Sequence, residues 1–153
     1  MPQVEKRGRG SRHRPLSWRT STKINAVVDE NGLPVRLMLT AGQAHDIIAA
    51  PALLAGLKCR HVVADRAYDA RSLLDLIRAA GAKAHIPTPR DRLVQRSVNR
   101  RIYRQRNLIE RFFNKLKHFR RIATRFDKLA RNFLAAVALA SARLWTRAYE
   151  STT

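Results

Sequence analysis

The sequence predicts an α/β domain, a mixed sheet with helices packed on it. Three observations carry that prediction. Strand-like and helix-like segments succeed one another in the order β-β-α-β-α-β-α-α. An Asn31-Gly32 pair stands between two β-prone runs, which is a strong hairpin signal. Two short apolar runs, His61-Val62-Val63-Ala64 and residues 82–86, look like buried strands and are separated by a helical pattern. The chain has 153 residues, which suits one domain, burying roughly two-thirds of its unfolded surface on folding.

The elements follow in order. Residues 1–20 read as a flexible basic arm, because Gly8, Gly10, Pro15 and the interspersed arginines give no periodicity. Residues 22–29 read as a strand, Glu30-Asn31-Gly32 turns the chain, and residues 33–40 return. In the return strand Val35, Leu37 and Leu39 alternate against Arg36 and Met38. A helix is expected over about 46–57, with Asp46 as N-cap and Pro51 blurring its start. Asp69 is expected to cap a helix over 70–80, which Gly81 stops. Residues 90–101 form a basic connector. A long helix is expected over about 103–120. The last helix, about 129–149, is apolar nearly all round, which predicts burial against the sheet.

Composition excludes several function classes. Hydrophobic residues make up 45% of the chain, so a core is possible. The longest apolar stretch, residues 133–139, is far shorter than the ~20 residues needed to span a bilayer. No signal-peptide pattern opens the chain, and Cys59 is the only cysteine. A reducing cytoplasm is the expected compartment.

The charge then points to a partner. Lys and Arg number 31 and Asp and Glu 11, a formal net charge of +20. Residues 24–89 hold 7 basic and 6 acidic residues, so they are nearly neutral. Residues 90–125 hold 13 basic against 2 acidic, and residues 1–23 hold 7 against 1. Charge clustered this way suits a phosphate backbone, and nucleic acid is the expected partner.

One helix carries the candidate chemistry. On a wheel of about 100° per residue, Tyr103, Arg106, Glu110 and Lys117 fall within about 60° of one another. Leu108, Ile109, Phe112, Phe113, Leu116 and Phe119 fill an adjoining apolar arc, so the stripe runs along the edge of the buried face. Glu110 is the only acid between Gln95 and Arg125. Cations around it favour its ionised form, and the plainer role is an i,i+4 partner of Arg106 or Asn114. Asp65 follows an apolar strand, at the rim of a sheet where ligand sites form; its plainer role is a turn or cap. Two carboxylates suit Mg2+, or Mn2+, which is held through few protein ligands together with substrate phosphates. A third carboxylate is expected for a two-metal site.

These residues resemble a known family. Tyr103, Arg106, Glu110 and Lys117 reproduce the spacing of the Tyr-Arg-Glu-Lys signature of bacterial insertion-sequence transposases of the DDE type. Ser21-Thr22-Lys23-Ile24, Thr40-Ala41-Gly42-Gln43-Ala44-His45-Asp46, Ala64-Asp65-Arg66-Ala67-Tyr68-Asp69 and Arg106-Asn107-Leu108-Ile109-Glu110-Arg111-Phe112-Phe113 look like further blocks of it, closest to the insertion sequence 5 group. The resemblance covers about residues 8–146. It implies an RNase H-like fold and metal-dependent DNA strand cleavage and transfer. It implies Asp65 and Glu110 as the second and third catalytic acids and metal ligands, and Tyr103, Arg106 and Lys117 as DNA contacts, with Arg104 and Arg111 beside them. The first catalytic Asp of the family, and its strand, have no counterpart upstream of Ser21, where Glu5 is the one acid. The expectation is therefore a C-terminal portion of such a transposase over residues 21–149. It would be inactive alone, and a partner to element DNA, to a product of an upstream reading frame or to a second copy on DNA. The alternative is a DNA-binding remnant or regulator without catalysis.

Overall fold

The structure is a computed structural model that describes residues 22–151, so the basic arm expected over 1–20 lies outside the described residues. The hairpin comes first. Strand β1 (Thr22–Val28) pairs antiparallel with β2 (Pro34–Ala41), Ala26 facing Leu37 and Ile24 facing Leu39. Asp29 builds the turn: its Oδ1 accepts the N–H groups of Asn31 at 2.9 Å and Leu33 at 2.8 Å. Gly32 takes φ +76°, the left-handed region that favours glycine.

The period-two pattern of the hairpin gives its faces different partners. Ile24, Ala26, Val28, Leu37 and Leu39 pack on a cluster centred on Phe112, Leu116, Phe133 and Val137. The opposite face is polar and holds the next segment by charge. Lys23 Nζ bonds Asp46 Oδ1 at 3.0 Å and the carbonyl of Ala44 at 3.2 Å. Arg36 Nη1 donates to the carbonyls of Ala52, Leu53 and Ala55 at 2.7–3.0 Å. These lie at the end of α1 (Ala50–Leu54), where a cation complements the unpaired carbonyls and the helix dipole. The helix expected over 46–57 is thus shorter than its sequence suggests. A single 3-10 turn at Asp46–Ile48 precedes α1, and Asp46 makes no capping bond because Lys23 engages its side chain.

A second, smaller cluster follows. Strand β3 (His61–Val63) runs parallel to β4 (Lys83–His85), with α2 (Arg71–Ala79) as the crossover between them. Leu73 and Ile77 of α2 bury against Ala50, Ala82 and Ile86. The α/β class holds, but the strands form two separate two-stranded sheets, one antiparallel and one parallel, rather than one mixed sheet. Among the described residues, every strand therefore has one edge without a paired strand.

The basic helical region is broken where one helix was expected. It consists of α3 (Arg100–Tyr103), a 3-10 turn at Arg104–Arg106, α4 (Asn107–Lys117) and α5 (Arg120–Ala123). Helix α6 (Ala130–Glu150) closes the larger cluster, and Trp145 Nε1 donates to the carbonyl of Pro34 at 2.9 Å, fastening α6 to β2. Only one stripe of α6 is buried, Phe133, Val137, Ala140, Ser141 and Leu144, while Leu139 stays 73% exposed. All-round apolarity did not mean all-round burial, because α6 covers the sheet from one side only.

One feature of the second sheet predicts a pH response. His85 is buried, and its Nε2 lies 3.1 Å from Nδ1 of His61. Burial first, then the neighbouring His61 and Lys83, hold its pKa below the ordinary 6.5. The folded chain then binds fewer protons than the unfolded chain as pH falls through that value. Stability is present above about pH 6.5 and is lost below it, towards the lowered folded pKa. Thermal melts from pH 7.5 to 5 are expected to fall steadily, and His85→Gln is expected to flatten the decline. An equal decline in both proteins would refute this assignment.

Candidate functional site

The basic helices position most of the candidate residues. Asn99 starts α3, its side-chain oxygen accepting the N–H groups of Arg101 at 3.0 Å and Ile102 at 3.3 Å. The 3-10 turn that follows tightens the chain, so residues three apart eclipse and Tyr103 and Arg106 come onto one line. Tyr103 and Arg106 are half-buried, while Arg104, Arg111 and Lys117 are exposed. Helix α4 is held by Phe112 and Leu116 in the core, which leaves Glu110 on the surface, 53% exposed. Arg106 Nη2 lies 2.7 Å from Glu110 Oε1. An exposed i,i+4 pair of this kind contributes about 0.3–0.5 kcal/mol, so its main effect is to orient the carboxylate.

Asp65 stands at the end of β3 and is exposed. Its Oδ1 accepts the N–H of Arg66 at 2.6 Å and caps the 3-10 turn Arg66–Tyr68. The Tyr68 hydroxyl is pushed above its ordinary pKa by burial first, then by the charges of Asp46 and Asp65. Asp65 follows Val62 and Ala64, which pack on the smaller cluster, while Glu110 lies on α4, which packs on the larger one. Each is an oxygen donor of the kind a hard cation takes. Among the described residues, however, no three His, Cys, Asp or Glu side chains come together as a metal cage. The donors fit Mg2+ in kind.

Asp69 is a correction. It does not cap α2, whose N-cap is Ala70 with no side-chain bond. Its side chain is only 1% exposed and takes Arg96 as an ion-pair partner, with Arg92 Nε 3.5 Å from its other oxygen. The connector over 90–101 is therefore anchored. Arg96 N–H also donates to Thr88 Oγ1 at 3.1 Å, and Gln95 Nε2 to the carbonyls of Pro89 and Arg92 at 2.9 and 2.7 Å. Asp69 and Arg96 are 27 residues apart, so no local periodicity could have paired them.

The comparison with known families decides what kind of chain carries this arrangement. Residues 3–145 match the family model described as the transposase DDE domain. The chain belongs to the DDE transposase family. A protein of Brucella ovis that carries a transposase name, for insertion sequence element IS6501, is 44% identical over 129 residues. That alignment covers 83% of this chain and 99% of the relative. No solved structure matches the chain. In this transposase domain no helix among the described residues is long and apolar enough to cross a membrane.

Proposed function

We propose that this transposase-family chain acts in DNA transposition by holding element DNA along the basic face of α3 and α4. Tyr103, Arg104, Arg106, Arg111 and Lys117 would contact the strand beside Glu110. The observation that carries this reading is the concentration of 13 cations against 2 acids in residues 90–125. Nine of those cations lie on α3, the 3-10 turn, α4 and α5, where Phe112, Leu116 and Ile122 already bury the apolar side in the core. Asp65 and Glu110 are assigned as two carboxylates of the site. Mg2+ or Mn2+ bound there would supply charge stabilisation at the reacting phosphate. The RNase H-like arrangement and membership of the insertion sequence 5 group are part of the same proposal. A further carboxylate, supplied by a partner polypeptide, would complete the set.

A second reading, DNA binding without catalysis by this chain alone, rests on the same concentration of cations in residues 90–125. The two readings separate on metal. Calorimetric titration of the purified chain with Mg2+ in the presence of duplex DNA is expected to show weak binding that Asp65→Asn and Glu110→Gln each remove. Binding unchanged by both substitutions would reject the carboxylate assignment. No strand cleavage is expected from the chain by itself. Cleavage of DNA by the purified chain that Glu110→Gln abolishes would show that the acid set is complete without a partner.

A further inference from the structure

A cavity of about 600 Å³ opens between α4, α6 and the hairpin turn, away from the proposed carboxylates. Basic side chains from two elements face each other across it. Lys115 and His118 stand one turn apart at the end of α4, and Arg143 and Arg147 one turn apart on α6. None of Lys115, Arg143 and Arg147 has an ion-pair partner among the described residues. The floor is apolar, made by the buried Leu33 and Leu144 and the ring of the half-buried Phe119. Lys115 is five residues beyond Glu110, which turns it by roughly 140° around the helix. The cavity thus lies on another face of α4 from the Tyr103, Arg106, Glu110 and Lys117 stripe.

A cationic rim calls for an anion, and an apolar floor with an aromatic ring calls for a flat apolar group attached to that anion. A nucleotide whose base is not stacked in a duplex has both. Base-paired DNA offers the phosphate alone, because its base faces are covered by their own neighbours. The volume falls within the range of small-molecule pockets, roughly 300–1,000 Å³. We propose that this cleft binds an unpaired nucleotide of single-stranded DNA, with its phosphate among Lys115, Arg143 and Arg147 and its base against Phe119. The proposal rests on the reading of the chain as a DNA-binding transposase and adds a second DNA contact, separate from the carboxylate face.

The test is fluorescence anisotropy of the full chain with a labelled 12-nucleotide single strand and with the corresponding duplex. The triple variant Lys115→Gln, Arg143→Gln, Arg147→Gln is compared with a charge-matched control, Lys58→Gln, Arg60→Gln, Arg131→Gln, which lies outside the cleft. The cleft variant is expected to bind the single strand about 10-fold more weakly than the control, with a salt slope smaller by about 2. Its loss on duplex should match the control. Phe119→Leu, which keeps apolar volume and removes the flat ring, is expected to weaken single-strand binding about 5-fold or more. Equal losses for the two triple variants on single strand, a cleft-variant loss on duplex as large as its loss on single strand, or an unaffected Phe119→Leu protein would each overturn the proposal. Cations set only to stabilise the two helix ends would lower the melting temperature of the cleft variant and leave its single-strand affinity at the control value. If the wild-type chain binds neither DNA, the transposition reading fails with the cleft. If it binds duplex normally and the cleft variants behave as controls, only the cleft assignment fails.

Discussion

Raising the salt concentration from 50 to 200 mM is expected to weaken binding of the chain to duplex DNA about 1,000-fold, the loss that goes with about six phosphate contacts. The structure says which cations are free to make those contacts. Of the 13 in residues 90–125, Arg92 and Arg96 hold Asp69, Arg106 holds Glu110 and Arg121 holds Asp127. The remaining nine have no ion-pair partner among the described residues; among them Arg104 in the 3-10 turn and Arg111 and Lys117 on α4 are exposed. Each phosphate neutralised releases condensed counterions, so the logarithm of affinity falls linearly with the logarithm of salt, by about 0.9 per contact. Filter binding or anisotropy across that range reads the slope directly. Substituting Arg104, Arg111 and Lys117 together with glutamine is expected to reduce the slope by about 3. A wild-type slope shallower than about 2 in magnitude would remove the basic face as the DNA surface.

Arg96→Ala is expected to destabilise the fold by about 3 kcal/mol, the low end for breaking a buried ion pair by removing one partner. The cost comes from what is left behind. Asp69 is 1% exposed, and without Arg96 its charge is answered only by Arg92, 3.5 Å from one oxygen. The reverse substitution, Asp69→Asn, is expected to cost less, because Arg92 and Arg96 are 52% and 37% exposed and can turn to water. In a domain of this size the larger loss lowers the melting temperature by roughly 10 °C. Thermal and urea melts of the two variants test the order. A larger loss for Asp69→Asn than for Arg96→Ala would show that the loop, rather than the buried carboxylate, governs stability here. Because the same clamp fixes the connector over 90–101, both variants also test whether that basic segment must be held in place for DNA binding.

Local chemistry was legible residue by residue. The Asn31-Gly32 hairpin formed where the sequence placed it, because only local hydrogen bonds to Asp29 and a left-handed glycine are needed. The alternation in 33–40 put Leu37 and Leu39 on the core, for the same reason of period. Glu110 and Arg106 met as i,i+4 neighbours, a distance that the helix repeat sets by itself. The family was legible as well, since the ordered blocks around Asp65 and Glu110 survive in one dimension and the family match spans residues 3–145.

What the sequence by itself determined, then, was the hairpin turn, its period-two faces and the Arg106–Glu110 pair, whose partners lie within a turn or a hairpin of each other, together with the net charge. Tertiary structure alone decided the features that join distant segments. The strands separated into two small sheets, because which edges pair depends on how helices α1, α2 and α6 pack, not on any strand's own residues. Asp46 went to Lys23 and Asp69 to Arg96, since a carboxylate that loses water takes whichever cation the fold brings near it. The cavity between α4 and α6 likewise exists only once those helices meet: Lys115 and Arg147 are far apart in sequence, and packing of the apolar faces beneath them brings both to one cavity.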